Sequence, residues 1–357
     1  MGASSLIARG KKRIFVVSEE DPHTIWFSKE RVIGEGIAFA EGLKIGVDPK
    51  GGPISALAVM DDKVVAFKKR SLFVYSGAGP DETGGGTQFS EPDEISVDVG
   101  CDDPATVASS DDGLLFKGKK GRYRLTRALQ VEYVGADVEA HNGLTDTSAV
   151  LLADVNQIRF TTAEGPTLMY DYEFEQWGTF TGQAAVDAIL WGSEYVYLSS
   201  DGKVWKEAPD TYRDGNKRYS LVIETAWNKL AGLQGFQRVR RALLVGKANG
   251  DHILSVELGF NYESGYPEVF TFDSREIANR VYFGSSSYFG ADSVFGGVED
   301  SLYQWEMHPV LQKCQSLKLR IKDLPVNADD AGYEMAGLAL LAGFKKGVAK
   351  LREDKRA

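Results

Sequence analysis

The chain has 357 residues, of which 43% are hydrophobic, 26% charged and 11% aromatic, with 39 glycines. That length exceeds what one core of roughly 250–300 residues serves, and so many glycines and aromatics fit short strands joined by tight turns rather than a helical bundle. A formal net charge of −10 repels phosphate backbones, which argues against tight nucleic-acid binding but leaves DNA free to pass by.

The segment Met1–Arg13 carries Lys11, Lys12 and Arg13 without an apolar run after them, so it does not read as a signal peptide. The longest apolar run, Met335–Phe344, falls short of the roughly 20 residues of a membrane span. The expectation is a protein made in the cytoplasm, without a membrane anchor. Cys101 and Cys314 stand far apart and read as buried free thiols.

From Arg13 onward a repeat emerges: apolar strand, polar turn, second strand, turn, third strand. The first copy holds Arg13–Ser18 and Thr24–Ser28. The second holds Ile54–Met60, an Asp61-Asp62 turn, Val64–Phe67 and Ser71–Tyr75. The third holds Ala105–Ser109, an Asp112-Gly113 turn, Leu114–Lys117 and Arg122–Leu125. The fourth holds Ala149–Ala153, Gln157–Thr161 and Thr167–Tyr172, and the fifth Val186–Leu190, Tyr195–Leu198 and Lys203–Lys206 after an Asp201-Gly202 bend. Aligned on Phe27, Phe67, Phe116, Phe160 and Tyr197 as middle-strand aromatics, the copies recur at roughly 37–49 residues, the period of propeller blades. One small sheet cannot bury both faces alone, and blades side by side cover them. The polar connectors Gly77–Pro92 and Gly135–Thr145 read as functional surface loops or as flexible segments, with nothing to separate the two.

After Lys206 the period breaks. The polar stretch Asp210–Lys217 divides a β-propeller-like domain, 1–209, from a β-sandwich-like domain, 210–357. The second domain carries longer strands: Tyr219–Trp227, Gln237–Gly246, His252–Tyr262, Glu268–Phe272, Ser301–Met307, Ser316–Ile321 and Gly337–Gly343. Asn249-Gly250 reads as a hairpin joining two of them, and Gly284–Gly297 as a contact loop.

No histidine among His23, His141, His252 and His308 sits at metal-ligand spacing from another His or an acid, and no glycine-rich loop leads into a helix that would hold a phosphate. No catalytic, cofactor or metal residue is therefore assigned. The nearest to an acid pair is Asp171, Glu173 and Glu175, which in a strand would share one face at a separation suited to glycoside hydrolysis. A solvated face is the plainer explanation. Basic clusters lie at Lys117–Arg124, Arg238–Arg241 and Lys345–Arg356. Arg238 and Arg240 alternate onto one strand face, suited to acidic patches of a neighbouring subunit or simply to solvent.

Several stretches resemble one family in order along the chain: Pro22–Lys29, Met60–Lys68, Asp98–Cys101, Asp112–Leu125, Glu173–Trp177, Gly232–Arg241, Tyr303–Trp305, Gln312–Gln315 and Gly337–Leu351. Together they resemble the tail nozzle, or tail tubular protein B, of short-tailed phages and prophages. That resemblance implies a β-propeller joined to a sandwich-like nozzle part, in a hexameric ring that extends the tail and conducts DNA. It also implies adaptor and other tail proteins as partners, no specific grip on the passing DNA, and a place in the virion. Members of that family are longer at the N-terminus, which leaves the number of blades open. The reading is a non-enzymatic structural component. The alternatives are a tail propeller that binds a host receptor or glycan through Tyr288, Phe289, Asp292 and Phe295, and a polysaccharide depolymerase acting through Asp171, Glu173 and Glu175.

Overall fold

Short strands broken by two-residue polar turns set the architecture from Leu6 onward. The computed structural model describes residues 6–208, 211, 213–215, 217–232, 235–248, 252–274, 281–282, 293–294, 302–326 and 332–345. The chain divides into two compact units, Met1–Glu207 and Ala208–Ala357.

The first unit is five antiparallel sheets in sequence order. The first is β1 (Leu6–Gly10), β2 (Arg13–Ser18), β3 (Asp21–Ser28) and β4 (Phe39–Gly46). The second is β5 (Ala56–Met60), β6 (Lys63–Phe67), β7 (Leu72–Ser76) and β8 (Asp93–Ser96). The third is β9 (Ala108–Ser110), β10 (Gly113–Gly118), β11 (Gly121–Thr126) and β12 (Val131–Tyr133). The fourth is β13 (Asp146–Leu152), β14 (Gln157–Thr162), β15 (Thr167–Asp171) and β16 (Gln176–Phe180). The fifth has three strands, β17 (Ala185–Trp191), β18 (Glu194–Ser199) and β19 (Val204–Lys206). Every sheet is a meander whose neighbours in space are neighbours in sequence, which is the organisation of a propeller blade.

The period of two does the packing. Val64 and Ala66 of β6 enter a core shared with Phe15 and Val17 of the first sheet, while Val65 and Phe67 enter one shared with Leu114 and Phe116 of the third. Leu115, between those last two, faces Ile158 and Phe160 of the fourth sheet, and Val150 and Leu152 of the fourth face Tyr195 of the fifth. Each inner sheet is thus apolar on both faces, which is why its strands read as near-continuous apolar runs. Phe67 and Phe116 meet across one such layer with ring centroids 5.1 Å apart.

Three expectations about the repeat are corrected. The copies are four-stranded in the first four sheets, because β1, β4, β8, β12 and β16 carry too little apolar pattern to be read as strands. The middle-strand aromatic of the first copy is Phe15 in β2, whereas Phe27 lies one strand later. Gly113 is not a turn residue but the first of β10, paired with Ser110; the turn itself is Asp111-Asp112. There Gly113 has φ of 138° and a Cβ would stand 2.1 Å from the Leu125 carbonyl, so only glycine fits.

The second unit is a two-sheet sandwich. Its strands are β20 (Leu221–Glu224), β21 (Phe236–Ala248), β22 (His252–Phe260), β23 (Glu268–Asp273), the two-residue pair β24 (Val281–Tyr282) and β25 (Ser293–Val294), β26 (Leu302–Met307), β27 (Lys313–Cys314), β28 (Leu317–Pro325) and β29 (Tyr333–Lys345). One sheet runs β20-β28-β22-β23; the other centres on β21, which pairs with β26, β27 and β29. Their inner faces supply one core, including Leu244, Val256, Leu258, Trp305, Leu319 and Ile321. Here the hairpin expectation at Asn249-Gly250 fails. That dipeptide lies outside the described residues, but the strands it joins, β21 and β22, belong to opposite sheets and do not pair.

Candidate functional site

The carboxylates Asp171, Glu173 and Glu175 do not share a strand face. β15 ends at Asp171 and β16 starts at Gln176, so residues 172–175 form the turn between them, with Glu175 at φ of 53°. Asp171 accepts hydrogen bonds from the Glu173 and Phe174 amides, both at 3.0 Å, and is committed to holding that turn. Glu173 accepts from Asn156 Nδ2 at 2.6 Å, and Glu175 is paired with Arg124 at 2.8 Å. Glu173 and Glu175 line an open depression of about 440 Å³ with Asp112, Asn156 and Tyr172. Its acids are tied to neighbours: Arg124 also reaches Glu132 at 2.8 Å and Asp112 at 3.7 Å.

Within the basic run Lys117–Arg124, Lys117, Arg122 and Arg124 latch the third sheet to the fourth, while Lys119 and Lys120 are exposed. Arg122 forms an ion pair with Asp146 at 2.7 Å with both side chains 1% exposed, and Lys117 approaches the same carboxylate at 3.1 Å. The guanidinium lies 4.4 Å from the Phe160 ring centroid and 5.8 Å from that of Trp177, both on the fourth sheet. The same device recurs along the unit. Arg13 donates to the Pro80 carbonyl at 2.6 Å, which pins the Gly77–Pro92 connector, and Phe89 of that connector packs edge-on against Phe27. The Lys68 ammonium reaches back to the Asp48 and Lys50 carbonyls, Arg127 pairs with Asp61, and Arg159 pairs with Glu207.

Asp98–Cys101 acquires a structural reason. A Cβ at Gly100 would stand 1.9 Å from the Lys68 carbonyl, and the Cys101 amide donates to that same carbonyl at 3.0 Å. Cys101 and Cys314 are both buried free thiols, with burial pushing the Cys101 thiol up to about 11 and Cys314 in the same direction. His252 is buried in the sandwich core against Trp305 and Tyr333. Among the described residues no group of three His, Cys, Asp or Glu side chains is placed to hold a metal. Arg238 and Arg240 are both exposed; Arg238 donates to Gln312 Oε1 at 2.9 Å, and Arg241 pairs with Glu306 at 2.8 Å. Tyr288, Phe289, Asp292 and Phe295, most of Gly284–Gly297 and residues 346–357 lie outside the described residues.

The feature that sequence reasoning missed is the outer face of the fifth sheet. Tyr195, Ala188 and its partner Tyr197 pack against Val150 and Leu152 of the fourth sheet, and Leu190, paired with Tyr195, lies on the same side but is 42% exposed. Ile189, Trp191, Val196, Leu198 and Val204 therefore turn the other way, with Trp191 73% and Val204 70% exposed. Asp187 and the Glu194–Lys206 ion pair (3.0 Å) flank them on the same face. Alternation in Val186–Trp191 was the available signal: apolar residues fall on both parities, and a strand apolar on both faces is built to be covered on both.

The molecule is thus an all-β protein of serially packed, blade-like sheets followed by a β-sandwich. No known protein-family model matches the chain, and no curated protein matches it. Solved structures with some likeness include PorZ, described as an essential bacterial surface component of the type-IX secretion system of Porphyromonas gingivalis. It shows 12% identity and a TM-score of 0.39 over 62% of this chain and 29% of that one. The WD40 β-propeller domain of Doa1 shows 11% identity and a TM-score of 0.36, over 59% of this chain and 66% of that one. The Neurospora crassa Pan2 WD40 domain shows 11% and 0.35, over 58% and 60%. This chain therefore spans under a third of the PorZ chain and about two thirds or less of the others. Likenesses this distant carry no functional information.

Proposed function

We propose that the chain is a structural component of a phage tail, a nozzle-like subunit that assembles with its own copies into a ring through which DNA passes. The observation that carries this reading is the uncovered apolar face of the fifth sheet, with Trp191 at 73% exposure. An apolar patch of that kind on a soluble protein marks a surface meant for a partner. The order of family-like stretches from Pro22–Lys29 to Gly337–Leu351 supports the assignment to a tail. The net charge of −10 suits a wall that lets a polyanion slide without holding it. Latches between successive blades suit rigid building material: each ties one sheet to the next by a buried or half-buried ion pair or by a lysine or arginine bonded to backbone carbonyls.

The test is electron microscopy of the full chain purified together with the tail proteins encoded beside it. A ring-shaped oligomer of this chain, located on the tail complex, is the expected result. A chain that stays monomeric in the presence of those tail proteins would sink the reading.

A further inference from the structure

The first sheet also presents an outer face. Ile7 of β1, Val16 of β2, Trp26 of β3 and Lys44 of β4 lie in one cross-strand row, with Arg9 and Ile14 paired in the next. Their alternate neighbours Ala8, Phe15, Val17, Ile25 and Phe27 point the other way, into the core shared with the second sheet. Ile7 is 63% exposed, Arg9 and Lys44 are exposed, and the Lys44 ammonium lies 5.6 Å from the Trp26 ring centroid. Within these two rows the charges, Arg9 and Lys44, are both positive, while Asp21, paired with Ser18, and Glu41 are exposed acids elsewhere in the same strands. On the outer face of the fifth sheet the charges are Asp187, Glu194 and Lys206, with the last two paired to each other.

We infer that these two end faces are partners across copies: the outer face of the fifth sheet of one copy packs on the outer face of the first sheet of the next. The occupant is a second copy of this chain. Each face has a tryptophan beside apolar residues, half-buried Trp26 over buried Val16 on the first and exposed Trp191 on the fifth, and successive blades inside the unit already join through apolar faces, so the contact continues that stacking from one copy to the next. The charges add a sign rule. Arg9 and Lys44 meet Asp187 favourably, whereas two copies of the first face would set Arg9 and Lys44 against each other and two of the fifth would oppose their Asp187 carboxylates. Because the two patches differ, the contact is head-to-tail. Such a contact closes into a ring when the rotation per copy divides a full turn and otherwise runs on as a filament. The inference rests on the reading of this chain as a self-assembling subunit, and names the surfaces that do it.

The test uses the full chain in analytical ultracentrifugation over a wide concentration range. One variant carries Ile189→Asp with Trp191→Glu on the fifth sheet, and the other carries Ile7→Asp with Lys44→Glu on the first. The side chains replaced are solvent-exposed, so circular dichroism melts should match wild type. Should the tryptophan variant lose its melt, Val204→Lys on the same face replaces it. The wild type is expected to self-associate, each variant to weaken that at least about tenfold, and an equimolar mixture of the two to form a one-to-one dimer and stop there. That mixture is decisive, since each variant retains one intact face of opposite kind. If the first-sheet variant associates like wild type, the fifth face has another partner and the inference is wrong. If wild type and both variants associate alike, the inference fails while the reading of a self-assembling subunit stands. If wild type is monomeric alone and with the tail proteins, both fall.

Discussion

Arg122 and Asp146 are each 1% exposed at the side chain and 2.7 Å apart. Two charges removed from water are tolerated there because each meets the other and because the guanidinium lies over the Phe160 ring. Their value is asymmetric. Replacing Asp146 by Ala leaves a guanidinium stranded between the third and fourth sheets, which costs about 3–5 kcal/mol, whereas replacing both partners by apolar residues of similar size costs far less. Urea unfolding should show Asp146→Ala strongly destabilised and Arg122→Met/Asp146→Leu recovering most of that loss. Equal midpoints for the single and double variants would mean that the pair is not a unit. The Lys117 ammonium, 3.1 Å from the same carboxylate but partly exposed, is the bystander that keeps its solvent when Asp146 goes.

At the scale of strands, β28 lays Lys318, Arg320 and Lys322 along one face of the sandwich, alternating with Leu317, Leu319 and Ile321 in the core. Glu224 of β20 lies between Lys318 and Arg320, the latter at 2.7 Å, and Glu257 of β22 takes Arg320 at 3.3 Å and Lys322 at 2.6 Å. The Lys318 ammonium, with Arg320 behind it, holds the Glu224 carboxyl down to about 2 from an ordinary 4.5. A carboxyl whose folded value is depressed stabilises above its unfolded value and loses that contribution as pH falls toward the folded one. The sandwich should therefore lose stability between about pH 4.5 and pH 2, and Glu224→Gln should flatten that part of the profile without moving the curve near neutrality by much. A chemical-denaturation series across that interval, followed by Trp305 and Trp227 fluorescence, checks it; an unchanged slope in the variant would remove Glu224 as the cause. These long strands were legible in sequence because period-two alternation over six or more residues survives without context, as Leu317–Lys322 shows. The edge strands were not: Asp93–Ser96 and Val131–Tyr133 are short and half-exposed, and pairing alone makes them strands. The Asp171–Glu175 alternation misled for the opposite reason. It has a strand's period, but Asp171 caps a turn, and nothing in the alternation of charges separates a solvated strand from a tight polar loop. The end faces are not legible because blades side by side cover both faces of a sheet, and nothing in Val186–Trp191, apolar on both sides, marks it as the last of a row.

For the first unit as a whole, serial packing makes stability a sum over adjacent layers, as in repeat proteins. The layers are unequal. Those between the first three sheets hold Phe15, Phe27, Phe67, Phe73, Phe116 and Tyr123 among their buried residues, while the layer between the fourth and fifth holds Val150, Leu152 and Tyr195. The fifth sheet also has three strands instead of four, and one face uncovered. Opening it alone exposes little apolar surface, whereas opening the third exposes cores on both sides, through Leu114 and Phe116 on one and Leu115 on the other. Local opening free energies should rise from the fifth sheet inward. Native-state hydrogen exchange on dilute, unassembled protein should thus release the amides of β17–β19 first and those of β6 and β10 last. Tyr195→Ala should accelerate exchange in the fifth sheet while leaving the second at wild-type rates. Uniform protection across the five sheets would show the unit to be a single cooperative block. If the end faces join copy to copy, the same amides of β17–β19 gain protection as concentration rises, because association covers the outer face of the fifth sheet.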